Sequence, residues 1–287
     1  MKLAVLADIH GNYPALQAVA AHIDHWQPDE VVVAGDIVNR GPRSLACLDF
    51  IRQRQRSHGW RAVRGNHEDY VISFHSPETA PSGIQAEVFG IARWAYQQLN
   101  GDVAALQALP FQVSLPAPDG GEIRVVHASM VNNRNGIFPN MTEAQLRKRI
   151  SHPQQAPPAV ICVAHTHIPL VTRLGNTLIV NTGSAGLPFD GDPRPAYAQL
   201  TWRRGGWSAE IVRLPYNRRQ AERDFEETGF LHEAGPMAHL VLDELRTAQS
   251  RLYHFMVEYH DPTLNGDITL ADAVSRFLIK THGLMLE

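Results

Sequence analysis

Cysteine is scarce. Cys47 and Cys162 are the only two in 287 residues, too few for a disulfide framework, and each sits in an apolar stretch that predicts a buried thiol. No apolar run approaches the ~18 residues needed to cross a bilayer. The opening run, Met1 to Ala7, is too short for a signal-peptide core and is closed by Asp8. These absences predict a soluble, cytoplasmic protein without a membrane partner. A basic excess is missing too: 29 acidic against 26 basic residues leave a formal charge of −3 at pH 7. That balance argues against a protein built to grip long nucleic acid. Lysine is confined to Lys2, Lys148 and Lys280, an arginine bias that is compositional and carries no function by itself.

Hydrophobic residues make up 44% and charged residues 19% of the chain, ample for a packed core. Short β-branched runs at 2–7, 30–34, 123–126, 160–164 and 177–180 predict buried strands. A hairpin is predicted for 197–202 and 209–214 around Arg204-Gly205-Gly206. Helical spacing occupies 14–26, 44–55, 85–99 and 142–150, with Ser44 and Thr142 as N-caps. This alternation predicts an α/β architecture with helices covering sheet faces. Residues 70–110 are too long for a simple connection and predict a helical insertion with a turn at 76–83. Beyond Pro215 only helices are predicted, over 217–229, 237–259 and 269–280. The chain thus divides into a domain at 1–215 and a helical appendage at 216–287. The amphipathic stretch 237–259 can pack against a second copy, which leaves a homo-oligomer open.

Five polar clusters follow the predicted strands directly. They are Asp8-Ile-His10, Gly35-Asp36 with Asn39-Arg40-Gly41-Pro42, Gly65-Asn66-His67-Glu68, His127, and Ala164-His165-Thr-His167. Strand C-termini of α/β sheets are where side chains from several strands converge on a ligand. Carboxylates, imidazoles and an amide, without thiolate, are the donor types of a Mn, Fe, Zn, Co or Ni site. Asp8/His10 and His165/His167 are i, i+2 pairs, which on extended backbone project from one side. Their spacing suits two adjacent ions. Each cluster alone is weak; all five in order are specific.

These five blocks resemble the signature of the calcineurin-like metallophosphoesterase superfamily, over residues 3 to about 201. Asn181-Thr-Gly183-Ser184 with Gly186-Leu-Pro-Phe-Asp190-Gly-Asp192-Pro-Arg194 is similar to the closing strand and loop of small bacterial and archaeal phosphodiesterases. Gly35-Asp36 through Arg40-Gly41-Pro42-x-Ser44 also resembles diadenosine tetraphosphatases and serine/threonine protein phosphatases. The resemblance implies a two-sheet sandwich flanked by helices, with a site at the sheets' shared edge. It implies two metal ions bridged by Asp36, one completed by Asp8, His10 and His167, the other by Asn66, His127 and His165. The remaining histidines outside these blocks read as surface or core residues, with His75 the best placed of them to face substrate. Asp190 and Asp192 read as turn residues.

Two cations held about 3.5–4 Å apart by one carboxylate can share a water and make it a hydroxide near neutral pH. That hydroxide attacks phosphorus, so no Ser or Cys nucleophile is needed. The resemblance puts His67 at the mouth, as general acid or leaving-group stabiliser, and Arg40 is suited to grip the phosphate with its guanidinium fork. Asn39 stands where the phosphatase relatives carry Asp. An amide orients the imidazole without adding charge, which predicts a lower His67 pKa and argues against protein phosphatase activity. Thr182, where the phosphodiesterases often carry Pro, has no evident chemical consequence. The reading is a dinuclear phosphodiesterase or phosphatase acting on small phosphorylated substrates, nucleotides among them. The competing readings are a dinucleoside polyphosphate hydrolase or a serine/threonine protein phosphatase, the latter disfavoured by Asn39, and, in another class, a non-catalytic scaffold on the same fold.

Overall fold

The computed structural model describes residues 1–282. In chain order the first half runs β1 (Lys2–Leu6), α1 (Tyr13–Trp26), β2 (Glu30–Val33), α2 (Ser44–His58), β3 (Arg61–Ala62), α3 (Asn66–Ile72), α4 (Gly83–Val88), α5 (Gly90–Gln98), α6 (Ala104–Gln107), β4 (Gln112–Pro116) and β5 (Glu122–Val126). It continues with α7 (Glu143–Ile150), β6 (Val160–Val163), β7 (Leu170–Leu174), β8 (Thr177–Asn181), β9 (Ala196–Arg203) and β10 (Gly206–Arg213). Then come α8 (Arg218–Glu227), α9 (Phe230–Glu233), α10 (Met237–Thr247), α11 (Arg251–Leu264) and α12 (Leu270–His282). No described helix is long and apolar enough to cross a membrane.

Two five-stranded mixed sheets form, ordered β10-β9-β1-β2-β3 and β4-β5-β6-β8-β7. Alternate residues of a strand face opposite ways, and in β1, β2, β5, β6 and β8 both directions are buried, so the middle of each sheet is covered on both sides. Leu3, Val5 and Val32 of the first sheet meet Val125, Cys162 and Val180 of the second in the sandwich core. Ala4, Leu6 and Val33 point outward to Leu16, Val19 and Cys47 of α1 and α2. Val126, Ile161 and Ile179 take Leu146 and Ile150 of α7. The two-sheet sandwich is therefore present as expected. Both thiols are buried and unpaired, and burial pushes them up.

The helices after β10 share a separate core. Phe225, Phe230, Leu240, Phe255 and Phe277 close around Ile91 and Trp94 of α5 and Leu187 from the loop after β8. The helical tail is thus packed against elements beside the strand ends. Part of the 216–287 appendage, residues 283–287, lies outside the described residues.

Several expectations need correction. The single helix at 237–259 is two, because Ala248 turns left-handed at φ 52° and its N–H closes on Glu244. The stretch at 85–99 likewise breaks at Phe89 between α4 and α5. Ser44 is the first helical residue rather than the N-cap of α2, which is Arg43. Its hydroxyl instead accepts the Asn39 N–H at 3.0 Å, because the chain kinks there before the helix starts. Thr142 does cap α7, reciprocally with Gln145.

Candidate metal centre

The site lies where β1, β2, β5 and β6 end, in the turns that leave them. The extended geometry expected for the i, i+2 pairs is not what the chain adopts. Asp8, His10, Asp36, Asn39, Arg40, His165 and His167 all have φ between 49° and 70°. Left-handed backbone costs a non-glycine residue about 1 kcal/mol or more. Seven of the eleven such residues in the described chain are these, so strain is concentrated where the donors converge. The kinks fold each pair inward over the strand ends instead of letting it run along one sheet face.

Packing holds these turns in place. The His165 N–H donates to Asp8 Oδ2 at 2.9 Å and the His67 N–H to Asp36 Oδ1 at 2.9 Å. Glu68 takes four backbone N–H groups: Gly65 (2.8 Å) and Asp36 (2.9 Å) on one oxygen, Ile37 (2.7 Å) and Val38 (3.3 Å) on the other. It thereby clamps the turn after β2 to the start of α3. Gly65 is required by the approach itself, since a Cβ there would stand 2.1 Å from Asp36 Oδ1. Nothing in Gly65-Asn66-His67-Glu68 as a sequence announces this clamp, since all four of its partners are backbone groups.

Two donor clusters result, linked by a third. Asp8, His10 and His167 form one, Asp36, His127 and His165 the other, and His10, Asp36 and His67 make a triad that shares a residue with each. In the first, His10 Nε2 is 3.1 Å from His167 Nε2, 4.0 Å from Asp8 Oδ1 and 3.7 Å from Asp36 Oδ2. In the second, His127 Nε2 is 3.2 Å from Asp36 Oδ2 and 3.0 Å from Asn66 Oδ1, which lies 2.9 Å from His165 Nδ1. Asp36 Oδ2 thus stands between the clusters. The far nitrogens are tied back: His127 Nδ1 to the Ala34 carbonyl at 2.7 Å, and His167 Nδ1 to the Leu187 carbonyl. Such ties fix ring orientation in metal-binding histidines. Phe189 stacks on His167 at 4.2 Å.

The donor atoms fit metal ions. Metal–ligand bonds of about 2.0–2.2 Å put neighbouring donors roughly 3–4 Å apart, the spacing seen in both clusters. Asp8 Oδ1 is buried without a hydrogen-bond partner, an arrangement that costs free energy unless a cation meets it. In the protein without metal, protons stand in. Burial would lower His127, but Asp36 beside it raises it to about 10, and burial with Asp36 nearby raises Asp8 well above the usual carboxylate range. Burial depresses His10, His165 and His167, with His165 at about 4. Metals must therefore displace a proton from His127. Titrating manganese into chelator-stripped protein at pH 7.5, in buffers of differing ionisation enthalpy, is expected to release at least about one proton per chain. Buffer-independent heats would contradict this protonation pattern.

His67 sits at the mouth, its ring 4.7 Å from that of His10. Burial lowers it to about 3, against the pull of Asp36 and with that of Arg40, so the imidazole is neutral at pH 7. The Asn39 carbonyl accepts the Arg40 N–H at 2.7 Å, which turns its amide nitrogen to His67 Nδ1 at 2.9 Å. Arg40 lies alongside, its Nε–H donating to His67 Nε2 at 3.4 Å and its Nη1 paired at 2.8 Å with Glu244 of α10. Glu244, wholly buried, was not foreseen. His75 is exposed and does not line the cavity beside His67. Asp190 pairs with Arg213 and Asp192 with Arg194, as turn residues would.

This sandwich with paired donor clusters at its strand ends defines a metallophosphoesterase, a hydrolase of phosphoric esters. The chain belongs to the calcineurin-like phosphoesterase superfamily, whose domain matches residues 1–205. That family is dinuclear-metal dependent. Among its relatives, the phosphodiesterase YfcE of Escherichia coli K12 is 24% identical over 201 residues, 67% of this chain and 84% of YfcE. The symmetrical bis(5'-nucleosyl)-tetraphosphatase of Shewanella baltica is 37% identical over 87 residues, 29% of this chain and 31% of that enzyme. In fold, the chain is similar to a hypothetical protein from Pyrococcus horikoshii, with TM-score 0.72 at 19% identity over 86% of this chain and 98% of that one.

Proposed function

We propose that the protein hydrolyses small phosphate esters, diesters or monoesters, at two transition-metal ions drawn from Mn, Fe, Zn, Co and Ni. Asp8, His10 and His167 would hold one ion, Asn66, His127 and His165 the other, with Asp36 available to both. The domain at 1–215 carries the centre, and the helices after 216 support its mouth. The observation that carries this reading is Asp36 Oδ2 standing 3.7 Å from His10 Nε2 and 3.2 Å from His127 Nε2, shared by both clusters. Bound there, the ions supply an acidified water as nucleophile and positive charge for the phosphoryl oxygens.

The protein's own groups do the rest. Neutral His67 turns a ring N–H to the departing ester oxygen, stabilising it as charge builds there. Asn39 orients the ring at Nδ1. Arg40, with Nη1 committed to Glu244 and Nε beside His67, turns its Nη2 edge to the phosphate. Glu244→Gln leaves that guanidinium without its buried counter-charge. We expect KM to rise roughly tenfold with kcat little changed, since Arg40 binds ground and transition states alike. Steady-state kinetics checks the split, and a fall in kcat at constant KM would contradict it.

The test of function is turnover of bis-p-nitrophenyl phosphate, p-nitrophenyl phosphate and diadenosine tetraphosphate by stripped protein with and without manganese. Manganese-dependent hydrolysis that falls at least about 100-fold in His67→Ala is the expected result. The similarity to the Shewanella baltica tetraphosphatase supports a second reading, which dominant turnover of the dinucleotide would establish. No metal-dependent turnover of any ester would return the scaffold reading.

A further inference from the structure

Beside His67 a cavity of about 180 Å³ opens into the protein. Arg40, Asn39 and His67 stand at one end. The walls are Val88, Phe89 and Ile91 from the ends of α4 and α5, Met237 of α10, and Leu252 and Met256 of α11. Tyr70 joins the two parts, its ring 5.1 Å from His67 and 5.4 Å from Phe89. The charged groups of the lining are thus confined to the end that meets the metal centre, and the remainder is aliphatic, aromatic or thioether. We propose that this cavity is the specificity pocket for the departing group of the ester, and that it takes an uncharged, apolar group the size of one aryl ring.

The inference rests on the phosphoesterase reading above and names its substrate class. Position comes first: a phosphoryl group at the donor clusters, with His67 against its departing oxygen, directs the alcohol carbon into this space. Chemistry comes second. A nucleobase or sugar brings several donors and acceptors, and against Met237, Leu252, Met256 and Val88 these would be buried unpaired. Size comes third, since an apolar cavity of about 150 Å³ holds benzene, which matches one ring and not a nucleoside. The two methionines can adjust to ring substituents. Two of the walls come from helices after residue 216, so the helical tail supplies selectivity rather than chemistry.

The probes are methylphosphonate and phenylphosphonate, non-hydrolysable anions that differ only in the group entering the cavity, titrated calorimetrically into manganese-loaded protein. Phenylphosphonate is expected to bind roughly tenfold tighter or more, the worth of burying one ring. Met256→Trp fills the cavity and should bring the ratio of the two Kd values toward one. Leu252→Trp fills it from the neighbouring turn and serves if the first variant does not fold. Equal Kd values in the wild type, or a ratio unchanged in the filled variants, would overturn the pocket while leaving the phosphoesterase reading intact. Absence of metal-dependent binding by either anion would defeat both.

Discussion

Asp36→Asn should abolish hydrolysis, with kcat/KM down at least about 10³-fold, and should empty both metal positions together. The carboxylate has two separate jobs. Oδ1 accepts the His67 N–H at 2.9 Å, and an amide oxygen can continue that contact. Oδ2 stands between the clusters, 3.7 Å from His10 Nε2 and 3.2 Å from His127 Nε2. An asparagine with its oxygen on the His67 side turns an NH2 toward both cations, and it removes the negative charge that their proximity requires. In the metal-free protein the same change strands His127, whose raised pKa depends on Asp36. Breaking a buried pair from one side typically costs about 3–5 kcal/mol, so a fall in stability of the stripped protein accompanies the loss. Metal analysis and steady-state rates on the same sample test this. A variant that keeps both ions and a near-normal rate would show that Asp36 does not bridge.

Glu68→Gln is expected to destabilise the protein by about 3 kcal/mol and to weaken metal binding, although Glu68 belongs to neither donor cluster. Each carboxylate oxygen accepts two backbone N–H groups. A glutamine offers one oxygen, so whichever way it turns, an NH2 faces two buried N–H donors, each costing about 1–3 kcal/mol unpaired. Burial, with Asp36 adding to it, pushes Glu68 up to about 7. Cations at Asp36 cancel the second cause and favour the charged form. Loosening this clamp frees the turn after β2, where Asp36 is held at φ 54°. Urea unfolding with and without manganese measures the effect. Wild-type stability and metal affinity in the variant would contradict the role given to Glu68.

The buried strands were legible because both faces are covered in the middle of each sheet, which leaves continuous β-branched runs such as 30–34 and 160–164. The strands missed lack that signal. β3 has two residues, one of them Arg61, and β4 and β7 are edge strands whose Ser114, Val171 and Arg173 alternate outward. The break at Ala248 escaped because alanine favours continued helix, and tertiary packing overrode that preference. The seven proposed ligands were readable as types and order after strands, since donor chemistry is written in side chains. What was not readable was their backbone. Nothing in Asp8-Ile-His10 announces two left-handed residues, which persist only because neighbours over-determine them. Glu244 reaches Arg40 across 204 positions, a distance at which no local pattern reports contact.

Seven side chains, with Asp36 common to both positions, should cage two ions. Counting metals on protein purified without chelator, and again after stripping and manganese addition, tests this. About two ions per chain are expected in each case, with hydrolysis restored on the second loading. One weakly held ion at most, and no activity regained with manganese, would contradict it.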